Sequence, residues 1–231
     1  MKFTKYIQVS VAAIALGCAM TSCEMFGLDY QDPYEYDYEA GIPSNKLGMS
    51  TYDFIVSRSD LFSVLADAIE YAEMEDYYRM GDCTYILPTN TAFNSETSTD
   101  LCYFQTHQIP DGGVDETTGE PTTYAPSSMR AYPKEQVKEF LLYHIVKGQY
   151  THTNLPASPT WYETYASADT AMVNMYIYKD RNPNTTFNNF DGHYKASIKP
   201  RTGNLYSSDG SYVHVIESWL DRPTKEQLNL K

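Results

Sequence analysis

The residue types that most often carry chemistry do not form a familiar catalytic pattern in this chain. A serine hydrolase needs a Gly-x-Ser-x-Gly elbow with a downstream acid and histidine, and the sequence has no such elbow. The histidines lack the close spacing of a zinc site; they are His107, His144, His152, His193 and His214. A glycosidase needs two carboxylates across a cleft, which the sequence alone leaves open among 30 acidic residues. We therefore predict no cofactor or metal, and the residues alone leave a carboxylate pair open.

One polar run, "DRNPNTTFNNFD", has part of the spacing of a calcium-binding loop. Oxygen-bearing side chains at alternating positions can wrap a hard cation. The positions concerned are Asp180, Asn182, Asn184 and Thr186, with Asp191 in the twelfth place. However, the sixth position is Thr185 instead of glycine, and the final glutamate is missing. We favour the alternative, a polar hairpin tip rich in turn-forming asparagine.

The first residues have the layout of a secretory signal. Lys2 and Lys5 precede a short apolar run, which is followed by small residues. The run is shorter than the roughly 20 residues that a spanning helix needs. The residues just before Cys23 resemble the lipobox of bacterial lipoproteins, and Cys18 is a second candidate inside the apolar run. We predict a signal peptide over residues 1–22, lipidation of Cys23, and a place in the bacterial cell envelope as an outer-membrane lipoprotein facing the cell surface.

Two cysteines lie beyond this leader, Cys83 and Cys102. Disulfides form in proteins that are exported from the cytoplasm, so the predicted location outside the cytoplasm favours one disulfide between Cys83 and Cys102. The alternative is a pair of buried free thiols.

Composition narrows the class of partner. The 231 residues are 42% hydrophobic, which is enough for a folded core. The net charge of −13 argues against nucleic acid, because phosphate binding needs a basic surface. Tyrosine is abundant, with 22 residues against 9 phenylalanines and 2 tryptophans. Tyrosine joins an apolar ring to a polar tip, and it suits both half-buried strands and contact surfaces.

The pattern along the chain predicts an α+β domain behind a tether. Residues 23–49 are acidic and tyrosine-rich without helical or strand periodicity, which favours an extended spacer, although its tyrosines could instead pack on the domain or a partner. The domain is predicted over residues 50–223, with a long polar surface loop at 94–132 and a short tail at 224–231.

Helices come first in this domain and strands later. The apolar spacing predicts a helix capped by Ser59 and Asp60, a strand at 83–87, and a second helix from Pro133 to Gly148. Later strands are predicted near residues 171–179, 193–200 and 211–220.

Four stretches resemble the boxes of the fasciclin domain family in the right order. They are "STYDFIVSRSDLFSVLADAI", "TYILPTNTAF", "FLLYHIVKGQYTHTNL" and "YVHVIESWLDRP". In the second box an apolar strand ends on Pro88, which suits a strand that leaves its sheet. Thr89 or Asn90 is then expected to cap the next helix, and Phe93 to fix that helix to the core. The 94–132 insertion is longer than the family usually has.

The resemblance implies a fasciclin-like wedge of antiparallel strands packed with several helices. It implies adhesion or protein and glycan interaction at the cell surface, without catalysis. It also marks Tyr143 and His144 as candidate partner-binding residues. His144 lies on the apolar face of its predicted helix, so we favour a buried imidazole bonded to backbone. The alternative function is an accessory role, in carbohydrate capture or assembly, within an outer-membrane nutrient-uptake complex.

Overall fold

The computed structural model describes residues 44–94, 101–179, 183–193 and 198–230, and its compact unit begins at Asn45. The helices are α1 Thr51–Ser57, α2 Ser59–Ala72, α3 Asn90–Phe93, α4 Tyr103–Thr106 and α5 Lys134–Tyr143, with 3₁₀ turns at Tyr77–Arg79 and Met129–Ala131. The strands are β1 Cys83–Pro88, β2 Ile109–Val114, β3 Pro121–Tyr124, β4 Ile145–Lys147, β5 Thr160–Glu163, β6 Met172–Tyr178, β7 Asn184–Phe187, β8 Thr202–Tyr206 and β9 Tyr212–Ile216. In the described part of the chain, no helix is long and apolar enough to cross a membrane.

Helices and sheets stack in three layers, which confirms the predicted α+β class. A four-stranded sheet has the order β4-β1-β9-β8, a three-stranded sheet has the order β5-β6-β7, and β2 and β3 form a hairpin. The helices cover one face of the four-stranded sheet, and the three-stranded sheet covers the other. The helix-side core contains Phe62, Leu65, Tyr85, Leu87, Phe93, Phe140, Val213, Val215 and Trp219. The inter-sheet core contains Ile86, Val146, Val173, Met175, Ile177, Phe187, Ile198 and Ile216.

The central strand β1 explains why its sequence is apolar throughout. Successive side chains of a strand point to opposite faces. Tyr85 and Leu87 therefore enter the helix-side core, while Ile86 enters the inter-sheet core. All six residues of β1 are buried, as expected for a strand covered on both faces.

The sheet is mixed, whereas the resemblance implied antiparallel strands. β1 runs parallel to β9, with Tyr85 opposite Val213 and Leu87 opposite Val215, and antiparallel to β4. Pro88 lies at the end of β1, as predicted, because it has no N–H to donate. The next residue, Thr89, makes the hydrogen bond to β9: its N–H donates to the Ile216 carbonyl over 2.9 Å. The second and last of the four boxes thus lie side by side.

The start of the domain is capped differently from the prediction. Ser50 caps α1 by accepting the Asp53 N–H over 3.0 Å, and Arg58, without a side-chain cap bond, precedes α2. Inside α2 the backbone departs from helical geometry at Phe62, with φ −128°. Val64, just beyond this kink, donates its N–H to Asn90 Oδ1 over 3.0 Å. The Asn90 side chain therefore bonds to the backbone of α2 and does not cap its own helix, α3. Phe93 is fully buried in the core, as predicted.

The insertion contains structure that its polar sequence did not predict. In place of a structureless loop, its described residues 101–132 hold α4 and the β2–β3 hairpin, in which Ile109 pairs with Tyr124 and Val114 with Pro121. The connecting loop closes on Asp115, whose Oδ1 accepts backbone N–H bonds over 2.7 and 2.8 Å. Local side-chain bonds of this kind form turns without a hydrophobic pattern.

The helix α5 ends at Tyr143, five residues before the predicted stop at Gly148. Ile145 and Val146 belong to β4 instead, where they pair with Tyr85 and Thr84 of β1. A short apolar run fits a buried helix and a buried strand equally well. Here the run pairs with β1, so it forms a strand.

Candidate interaction surface

His144 is buried, with 1% of its surface exposed, and both of its ring nitrogens are occupied. Nε2 accepts the Leu220 N–H over 3.2 Å, so Nδ1 carries the proton and donates it to the Phe140 carbonyl over 2.8 Å. Burial lowers the pKa of this imidazole to about 4, despite its bond to the Phe140 carbonyl. The ring is therefore neutral at pH 7 and serves as a structural link.

Tyr143 is equally buried and joins three parts of the chain. Its hydroxyl lies 2.9 Å from the Met172 carbonyl and 3.1 Å from the Asp221 carbonyl, and it accepts the Asn188 amide over 3.2 Å. Asn188 also donates to the Asp221 carbonyl and accepts the Asn174 N–H. Burial raises the pKa of Tyr143.

Tyr143, His144 and Asn188 therefore form a clasp that holds Leu220 and Asp221. Neither of the first two side chains faces solvent, so the structure corrects their proposed role as direct partner contacts.

A second buried histidine, His214, lies between the two sheets. Nε2 is 3.0 Å from the Tyr150 carbonyl, and Nδ1 accepts the Asn204 N–H over 3.4 Å. Burial lowers its pKa to about 4. The ring fits because Gly203 lacks a side chain: a Cβ there would lie 2.9 Å from Nδ1.

The calcium-loop alternative does not match the geometry of its described residues. Asp180 and Asn182 lie outside the described residues. Asn184 and Thr186 belong to the straight strand β7, opposite Tyr178 and Tyr176. An extended ladder cannot wrap a cation as a calcium loop does. Across the described ranges, no group of three or more His, Cys, Asp or Glu residues could hold a metal ion.

The two cysteines of the domain are buried free thiols, which corrects the predicted disulfide. Cys83 Sγ lies 3.3 Å from Ser211 Oγ, and burial raises the pKa of the thiol. Cys102 precedes α4, where its N–H donates to Gln105 Oε1 over 3.2 Å. Each thiol thus belongs to its own local packing. Cys23, the predicted lipidation site, and Cys18 lie outside the described residues.

The outer face of the three-stranded sheet is the candidate interaction surface. Val173, Met175 and Ile177 of β6 fill the inter-sheet core, so the alternate residues of β6 point the other way. Strand pairing adds residues of β5 and β7 that lie directly opposite them. We call this set the outer face; it consists of Trp161, Asn174, Tyr176, Tyr178 and Thr186. Asn174, Tyr176 and Thr186 are buried, with 3%, 7% and 0% of their surface exposed, so the outer face reaches solvent through Trp161 and Tyr178.

Three of the five residues of the outer face are aromatic. Trp161 is half-buried, and its ring centre lies 5.3 Å from that of Phe190, which is also half-buried. Tyr178 is 47% exposed, with the Lys199 ammonium 5.1 Å from its ring centre. The Tyr176 hydroxyl accepts the Asn189 amide over 2.7 Å. Such rings offer apolar contact at a small cost in side-chain freedom.

Two buried polar atoms of the outer face have no hydrogen-bond partner. They are Asn174 Oδ1 and Thr186 Oγ1, on side chains that are 3% and 0% exposed. A buried polar group without a partner is unusual in a folded protein and calls for an explanation, such as a water or a ligand. The sequence had one signal for this face, the alternation of Asn174, Tyr176 and Tyr178 with apolar residues in "VNMYIY". It could not reveal which strands lie beside them.

A shallow groove between α1 and α2 is a weaker candidate. It measures about 410 Å³ and is lined in part by Tyr52, Val56 and Asp67. Asp67 is already paired with Arg130 over 2.7 Å, so the polar end of the groove is satisfied within the protein.

No family model and no curated protein matches this chain. Among solved structures, it is similar to a FAS1 domain pair from the insect cell adhesion molecule fasciclin I, with 12% sequence identity and a TM-score of 0.49. The match covers 78% of this chain and 52% of that one, so the chain spans about half of the length of the domain pair.

Proposed function

We propose that this chain is a non-catalytic binding module, anchored by lipid in the bacterial cell envelope, that attaches to protein or glycan at the cell surface. One observation carries the proposal. The stretches that resemble the fasciclin domain meet around one core: β1 pairs with β9, and His144 binds Leu220. A shared core is what the family resemblance requires.

The state of the buried histidines supports a role without catalysis. A general acid or base has to reach the proton that it transfers. His144 and His214 are 1% and 0% exposed, and each has both ring nitrogens in hydrogen bonds to the backbone. Both imidazoles link backbone segments inside the protein.

We infer the anchor from the leader pattern of the sequence. Lipidation of Cys23 would attach the chain to the outer membrane. The part of the predicted 23–49 tether that precedes Asn45, where the compact unit begins, would then act as a spacer. This spacer is acidic, so its charges repel one another and favour an extended chain.

The outer face favours a second candidate function, carbohydrate capture within an outer-membrane nutrient-uptake complex. Rings that line a site with a few placed polar groups are typical of small-molecule binding. Trp161, Phe190 and Asn174 provide that combination.

The test is a binding survey with the chain from Glu24 to Lys231, which omits the predicted leader and lipidation site. Labelled protein is applied to arrays of extracellular-matrix proteins and of glycans, with heat-denatured protein as the control. We expect saturable binding of the native chain to at least one array member. Native protein that binds nothing above the denatured control would contradict the proposal.

A further inference from the structure

We propose that the outer face is a binding site for a neutral oligosaccharide. The site would hold the ligand between the aromatic rings of Trp161, Phe190 and Tyr178, with hydroxyl groups bonded to Asn174 Oδ1 and Thr186 Oγ1. This inference rests on the proposed function and names the ligand class of one surface.

The outer face places its unpartnered polar atoms and its exposed rings close to one another. Asn174, Tyr176 and Tyr178 follow one another at alternate positions of β6, so the row spans about 13 Å. Trp161 lies directly opposite Asn174, and Thr186 lies directly opposite Tyr176. The two unpartnered atoms are therefore neighbours on the same face, beside the aromatic rings.

The unpartnered atoms indicate hydroxyl groups in the ligand. An amide oxygen accepts hydrogen bonds, and a threonine hydroxyl both donates and accepts. A sugar hydroxyl can satisfy both atoms, and the apolar face of a sugar ring can lie on tryptophan. A purely apolar ligand would leave Asn174 Oδ1 and Thr186 Oγ1 unpaired, which is unfavourable in a buried site.

Binding has to move the rings at the rim. Both polar atoms are covered in the free protein, and the half-buried rings of Trp161 and Phe190 adjoin the site. A shift of Trp161 would change its fluorescence. The other tryptophan, Trp219, is 1% exposed in the helix-side core and reports little on this surface.

Charge favours a neutral ligand over an anionic one. The chain has a net charge of −13, and a long-range field of that sign repels polyanions. The Lys199 ammonium lies 5.1 Å from the centre of the Tyr178 ring, so this cation is already in contact with an aromatic ring of the protein.

The first experiment measures binding of four neutral probes to residues 24–231: maltohexaose, cellohexaose, xylohexaose and mannohexaose. Calorimetry gives the affinity, and tryptophan fluorescence reports on Trp161. We expect at least one probe to bind, and Trp161→Ala to weaken that binding by about tenfold or more. The matched control is Tyr124→Ala, which removes an exposed aromatic from the β2–β3 hairpin and leaves the affinity unchanged.

The second experiment uses Thr186→Val, which keeps the shape of the side chain and removes the hydroxyl. Because this hydroxyl has no partner in the protein, we expect the free variant to be as stable as the wild type or more so. Its affinity for the same probe should fall about tenfold. Opposite effects on stability and affinity would distinguish a ligand contact from a structural role.

Two results would overturn this inference. One is that none of the four probes binds; the other is that Thr186→Val loses stability while its affinity stays the same, as expected if an ordered water bonds the hydroxyl. Either result leaves the proposed function standing if the wild-type chain still binds a matrix protein on the array. If the wild-type chain also binds no array member, the proposed function is contradicted as well.

Discussion

Two neutral histidines inside the protein make its stability depend on pH. His144 and His214 are buried, and burial lowers the pKa of each to about 4, from an ordinary value of 6.5. The unfolded chain therefore takes up these protons at a higher pH than the folded chain does. Their contribution to stability is complete above about pH 6.5 and is lost as the pH falls towards 4.

We predict that each histidine contributes roughly 3 kcal/mol to the fall in unfolding free energy between about pH 7 and pH 4. In urea unfolding, His144→Gln should be less stable than the wild type near pH 7, and the gap should narrow towards pH 4. His152→Gln removes an exposed imidazole and serves as the control. A gap for His144→Gln that stays constant over this pH range would contradict the neutral, buried assignment.

At the residue scale, the sequence could predict only what depends on a local pattern. The apolar spacing around His144 predicted that its side chain is buried, and the second box predicted the same for Phe93. Both side chains are buried in the structure. The bond from Val64 to Asn90 joins residues 26 positions apart, so no local pattern encodes it. The sequence analysis predicted a disulfide because exported proteins commonly contain them. The two cysteines remain free thiols, since the fold places each of them in separate surroundings.

At the scale of elements, the clasp links α5 and the end of β7 to the segment after β9. The Tyr143 hydroxyl contacts the carbonyls of Met172 and Asp221, and Asn188 bonds to the same hydroxyl. Residues 217–222 are not in a strand, so these side-chain bonds help to keep them in place.

We predict that Tyr143→Phe lowers the unfolding free energy by about 1–3 kcal/mol, because it leaves buried polar groups with fewer partners. Hydrogen exchange of the amides of Leu220 and Asp221 should accelerate. Tyr71→Phe is a matched control: it removes a hydroxyl that donates to the Tyr132 carbonyl over 3.1 Å from a half-buried ring, and we expect a loss of about 0.5 kcal/mol. Equal losses in the two variants would contradict a special role for the clasp.

Long, periodic elements were predictable, and short or edge elements were not. The helix α2, the strands β1 and β6 and the start of α5 follow their apolar patterns. The predicted strand at 211–220 is shorter, since β9 ends at Ile216, and residues 194–197 of the strand predicted at 193–200 lie outside the described residues. The strands β4, β5, β7 and β8 have three to five residues each, which is too short for a periodic signal.

At the scale of the whole molecule, the order of the sheet joins the beginning of the domain to its end. The ladder of β1 and β9 pairs Thr84 with Tyr212, residues that are 128 positions apart. Sequence patterns predicted both strands but could not show that they are parallel neighbours. The three layers place the outer face on the far side of the molecule from the helices.

The most direct test of an anchored binding module is the attachment of living cells. Bacteria that present the full-length chain are compared with bacteria that express Cys23→Ser, on a surface coated with the array member that binds the purified chain. We predict that wild-type cells attach, and that Cys23→Ser cells release the protein into the soluble fraction and do not attach. Wild-type cells that fail to attach, or Cys23→Ser cells that attach equally well, would contradict the account.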